Sequence, residues 1–166
     1  MTTSLPASSP LESGPDTPLE TAVATAVLDT NVVLDLLHFR DPGVAAVAAA
    51  LREGRAVAVT SDECLEELRR VLACPGFALD AAAQGALLDQ YAALCTGCDA
   101  PAGALPPEFP RCTDCDDQKF LELAWRSGAH CLVTKDKALL RLARRAARLE
   151  CFAIVAPAGY DTAQNR

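Results

Sequence analysis

A chain of 166 residues that is 51% hydrophobic and carries a formal charge of −7 holds enough apolar material for one continuous core. This composition excludes wholesale disorder, and no apolar run reaches the roughly 20 residues of a membrane span. The acidic balance also excludes charge-driven, non-specific nucleic-acid binding, so a polyanionic partner requires a local cation or a basic patch.

Residues 1–23 are rich in Pro, Ser and Thr and lack the basic start and apolar stretch of a signal peptide. They predict a disordered N-terminal tail on a cytoplasmic protein. "AVLD" (26–29) reads as a strand and Val32 to Leu37 as a helix. "DPGVAAVAAALREG" (41–54) has an Asp-Pro helix start and a Gly stop, and "RAVAVT" (55–60) is a second strand. "SDECLEELRRVLA" (61–73) is a helix capped by Ser61, and "DAAAQGALLDQYAAL" (80–94) is another. A Pro/Gly-rich stretch from Cys95 to Cys115 reads as a long surface loop. Beyond it come a helix over 116–128, a strand over 130–134, a basic amphipathic helix over 136–150 and a strand over 151–157. Residues 158–166 are read as a C-terminal tail, which leaves 24–157 as the folded domain.

Alternating strands and helices predict right-handed crossovers and a mainly parallel sheet of four or five strands, covered by helices on both faces. Ligands of such sheets sit at the carboxyl ends of strands. Asp29 closes the first strand and Asp136 follows the third, while Glu66 and Glu67 lie on the helix after the second. Asp114, Asp116 and Asp117 cluster ahead of the "QKFLELA" helix. If these ends converge, several carboxylates share one small volume, which is tolerable only with a cation or with protonation. Oxygen donors at that density suit Mg²⁺ or Mn²⁺, and such an ion polarises a phosphate and acidifies its bound water.

Taken together, "VLDTNVVLDLL", "SDECLEELRRVL", "CDDQKFLELA" and "LVTKDKALL" resemble, in order and spacing, the PIN domain. The likeness is greatest to bacterial PIN proteins described as toxin components of toxin–antitoxin systems. It covers about residues 24 to 157 and implies a three-layer α/β/α fold and a Mg²⁺- or Mn²⁺-dependent endoribonuclease. It further implies an RNA substrate, an antitoxin partner and, as is common in the family, a homodimer. Carried over by position, the resemblance makes Asp29, Glu67, Asp117 and Asp136 the acids of the site, with Asn31 and Thr134 fixing their geometry. Asp114 and Asp116 are competing candidates for the third acid, because Cys115 stands where the subgroup's pattern has proline.

Each of these residues has a plainer reading. Asp29 is also a good helix N-cap, Glu66 and Arg69 or Arg70 make a solvated helix pair, and acids are favoured at the start of a helix. Asp35 and Asp62 are assigned to the surface, and neither His38 nor His130 is placed to act as a base. The pairs Cys95-x₂-Cys98 and Cys112-x₂-Cys115, 13 residues apart, have near zinc-ribbon spacing. Against zinc, Cys95 continues an apolar helix face, and the other four cysteines serve as small hydrophobes. Lys137, Arg141, Arg144 and Arg148 form a basic stripe, with Lys119 and Lys135 near it. It reads either as a solvated face or as a phosphate-tracking surface in which Lys135, Lys137 and Arg141 contact RNA. Beside the nuclease stands a second expectation, a non-catalytic PIN-like module that binds RNA or a partner protein.

Overall fold

The computed structural model describes residues 23–97 and 104–161. Five strands form one all-parallel sheet in the order β3-β2-β1-β4-β5. The strands are β1 (Ala24–Leu28), β2 (Ala56–Thr60), β3 (Cys95–Gly97), β4 (Cys131–Val133) and β5 (Ala153–Val155). The helices are α1 (Thr30–Leu34), α2 (Ala45–Arg52), α3 (Asp62–Leu72), α4 (Ala81–Leu94), α5 (Gln118–Arg126), α6 (Lys137–Arg141) and α7 (Ala143–Ala147).

Successive side chains of a strand point to opposite faces, and the sheet therefore splits the apolar material into two cores. Ala26 and Leu28 of β1 join Val32, Val47, Leu68, Leu72 and Tyr91 on one face. Val27, between them in sequence, joins Phe120, Leu121, Leu132, Leu139 and Ala146 on the other. With α1–α4 on the first face and α5–α7 on the second, the architecture is the expected three-layer α/β/α sandwich.

The local signals act as expected where they are short-range. Ser61 Oγ accepts from the Cys64 N–H and starts α3, and Asp80 caps α4 in the same way. Gly54 and Gly128 sit at φ +69° and +62°, left-handed positions that end the elements before β2 and β4.

Four expectations are corrected. Cys95 does not prolong the helical face of α4; it opens β3, which pairs with β2 from Ala58↔Cys95 to Thr60↔Gly97. The single helix over 136–150 breaks at Leu142, where Leu142 N–H bonds to Leu139 O and Arg145 N–H to Leu142 O in tightened turns. This elbow keeps both Leu139 and Ala146 in the second core. Tyr160, assigned to a C-terminal tail, is fully buried in the first core beyond a 3₁₀ turn at Pro157–Gly159. Asp35, assigned to the surface, is buried, and Lys135 pairs with it. Residues 1–22 and 162–166 of the predicted tails lie outside the described residues.

Candidate functional site

The strand order reverses between β1 and β4, so their carboxyl ends flank the crevice where an open parallel sheet accepts ligands. Asp29 ends β1, and its backbone N–H donates to Val133 O of β4 at 3.0 Å. Its side chain is 3% exposed. One carboxylate oxygen accepts a long hydrogen bond from the Asn31 N–H at 3.4 Å, which caps α1. The other accepts from Thr134 Oγ at 2.7 Å. Thr134, completely buried, uses the same hydroxyl to accept from the Asp136 N–H at 2.9 Å. Asp136 then caps α6 through Oδ1, which accepts from Ala138 and Leu139 N–H at 2.6 and 3.1 Å. One buried hydroxyl thus ties together two acids that are far apart in the chain.

Glu67 enters from α3. Thr30 Oγ donates to its Oε1 at 2.8 Å, and Lys119 of α5 forms an ion pair with its Oε2. The lysine side chain is only 10% exposed, its ammonium also donates to the Asp116 carbonyl, and it lies 5.0 Å from the Phe120 ring centroid. Lys119 therefore neutralises Glu67 inside the fold instead of lying on a solvated stripe. Neither Thr30 nor Lys119 was assigned a place in the site from sequence. The only signal was position, Thr30 next to Asp29 and Lys119 two residues beyond Asp117.

Asp117 immediately precedes α5, and among the described residues no hydrogen bond engages its carboxylate. Its carboxyl is pushed up to about 6, first by burial and then by the charges of Asp29, Asp114, Asp136 and Glu67. Asp29 is raised as well. Burial is the largest cause, the Thr134 and Asn31 hydrogen bonds oppose it, and Glu67 and Asp136 add to it. Five acids from four segments therefore act on one another across this crevice. Of the three competing aspartates, Asp114 and Asp116 are exposed, and Asp114 Oδ1 is engaged by the Asp116 N–H at 2.9 Å. Asp117 alone is both partly buried and free to serve.

The donor set has the chemistry a hard divalent cation requires: carboxylate oxygens in excess of the single ammonium that faces them. Among the described residues, however, no three of these side chains stand together as a ready-made ion cage.

The remaining candidates separate. Asn31 is exposed beside Asp29. Lys135 is held by Asp35 at 2.7 Å and Asp41 at 3.3 Å, which keeps its ammonium charged and occupied. Lys137 and Arg141 are exposed on α6. Cys95 is half-buried beside Tyr91 and Cys64, and burial pushes its thiol up to about 11, an environment that opposes the thiolate. Cys112 and Cys115 line a different cleft with Leu105, Phe109 and Gln118. Cys98 lies outside the described residues. His130 Nδ1 accepts from the Thr25 N–H at 3.0 Å, and His38 packs on Phe39 and Phe77; both are structural.

A family model described as a PIN domain matches residues 25–138, more than half of the chain. No curated protein and no solved structure matches it significantly. No helix of the described residues is long and apolar enough to cross a membrane.

Proposed function

This chain belongs to the PIN-domain family, and from that premise we propose that it is a Mg²⁺- or Mn²⁺-dependent endoribonuclease. The observation that carries the reading is the Thr134 bridge between Asp29 and Asp136 at the β1/β4 switch point, with Asp117 beside them. Caps alone would require none of this convergence. Asp29, Asp117 and Asp136 would hold the ion, and their mutual repulsion is what a double positive charge relieves. When bound, the ion supplies charge for a phosphodiester in its transition state and an acidified water.

The chain's own residues perform the remaining work. Thr134 fixes the Asp29 carboxylate and, through the Asp136 amide, the start of α6. Thr30 and Lys119 lock Glu67, so its charge is balanced before any ligand arrives. Asn31, exposed beside Asp29, would orient an incoming phosphate or water. In the same reading the protein is the toxin of a type II pair and is silenced by an antitoxin.

The test is RNA cleavage with Mg²⁺, with Mn²⁺ and with chelator. Asn is as good a cap as Asp, so Asp29→Asn should keep the fold while lowering the rate by about 100-fold or more. Parental activity in that variant would remove Asp29 from the site. Two observations favour the second reading, a non-catalytic module: Glu67 is already neutralised by a lysine, and no three donors are caged together among the described residues. That reading requires Mn²⁺ to leave the thermal midpoint unchanged.

A further inference from the structure

The α6–α7 elbow carries four arginines, Arg141, Arg144, Arg145 and Arg148, all exposed. With Glu108 and Leu149 they line a groove of about 560 Å³. Arg145 Nε donates to the Glu108 carbonyl at 3.1 Å, which fixes one wall to the loop before α5. None of the four forms an ion pair among the described residues, although the chain has 22 acids. An acidic protein thus carries a groove lined, among the described residues, by four arginines and one acid.

We propose that this groove is a phosphate subsite that grips the backbone of the RNA strand being cleaved, without reading its bases. The inference rests on the ribonuclease reading. Guanidinium forks match phosphate oxygens in pairs, and an acidic protein needs such a place to overcome its repulsion of a polyanion. Among the described residues Leu149 is the only apolar wall and no aromatic side chain lines the groove, so they offer neither a stacking platform nor an anchor pocket for a protein partner. Asp136 caps α6 and Arg141 ends it, so the groove begins at the far end of the five-residue helix that Asp136 starts.

The experiment is anisotropy of a short fluorescein-labelled oligouridylate with the full chain in chelator, across a KCl series, where no cleavage occurs. Four phosphate contacts predict a slope of log affinity against log salt of about −2.8, and Arg141→Ala/Arg144→Ala/Arg148→Ala should reduce it to about −0.7. The control Arg52→Ala/Arg55→Ala/Arg70→Ala removes the same charge elsewhere and should keep the parental slope. In cleavage, the groove variant should lose on KM and not on kcat. Equal slopes in parent and groove variant, equal losses in groove variant and control, or displacement by polyglutamate as effective as by RNA would each overturn the inference. Salt-dependent binding through the groove in a protein that never cleaves RNA would sustain the groove and refute the nuclease.

Discussion

Replacing Thr134 by valine keeps its shape and removes one hydroxyl. That hydroxyl donates to Asp29 at 2.7 Å and accepts from the Asp136 N–H at 2.9 Å, and Thr134 is completely buried. The variant leaves a buried carboxylate short of its best donor, worth about 1.5–3 kcal/mol, and a backbone N–H unpaired, worth about 1 kcal/mol more. The sum is about 3 kcal/mol, or about 6–12 °C in thermal midpoint for a domain of this size. Thr134→Ser keeps the hydroxyl and should cost about 1 kcal/mol for the lost methyl. The pH dependence has a definite sign. Asp29 already titrates above the ordinary carboxylate value, and losing the Thr134 donor raises it further. An acid whose folded pKa exceeds its unfolded one destabilises the fold once pH rises above the unfolded value. The deficit of Thr134→Val should therefore be full at neutral pH and narrow as pH falls toward 4. Thermal melts of parent, Val and Ser forms in chelator at several pH values measure this. A valine form as stable at pH 7 as the serine form would refute the bridge.

Further outcomes follow from the same geometry. Asp117→Asn removes a repelled charge, so in chelator the variant should melt above the parent at pH 7.5, lose that lead as pH falls through the value of about 6 at which Asp117 titrates, and draw level only below the ordinary carboxylate value of 3.8. Saturating Mn²⁺ should reverse that order; scanning fluorimetry reads both. A double-mutant cycle of Glu67→Gln and Lys119→Met should show a coupling of about 1–2 kcal/mol, since the pair is mostly buried yet reached by water. A coupling near zero would mean that Lys119 does not hold Glu67. Lys135→Ala should leave RNA affinity within about twofold, because Asp35 and Asp41 already occupy its ammonium; the anisotropy titration reads the outcome.

Short-range chemistry was legible in the sequence, and tertiary partners were not. Asp29 at a strand end, the Ser61 cap and the strand–helix alternation announce themselves within a few residues, and they suffice for the layers and the parallel sheet. β3 is three residues long and is stabilised by β2, so nothing in "CTG" itself marks it off from the Pro/Gly-rich sequence that follows. The break at Leu142 involves neither Pro nor Gly, because it arises from helix packing over the second core. The site divides in the same way. Four acids could be placed by motif, but choosing Asp117 over Asp114 and Asp116 required burial and the fields of distant charges. By sequence alone Lys119 and Lys135 are members of one basic surface. The fold gives each an acid from elsewhere in the chain, Glu67 for the first and Asp35 for the second.

The proposed function requires Asp29, Asp117 and Asp136 to hold one divalent ion jointly, which anomalous diffraction from crystals soaked in Mn²⁺ can locate. A manganese peak within coordination distance of all three carboxylates, absent from Asp117→Asn crystals soaked alike, is the predicted result. A fully soaked crystal with no peak among these residues, or with its manganese elsewhere, would show that these acids do not form a metal site.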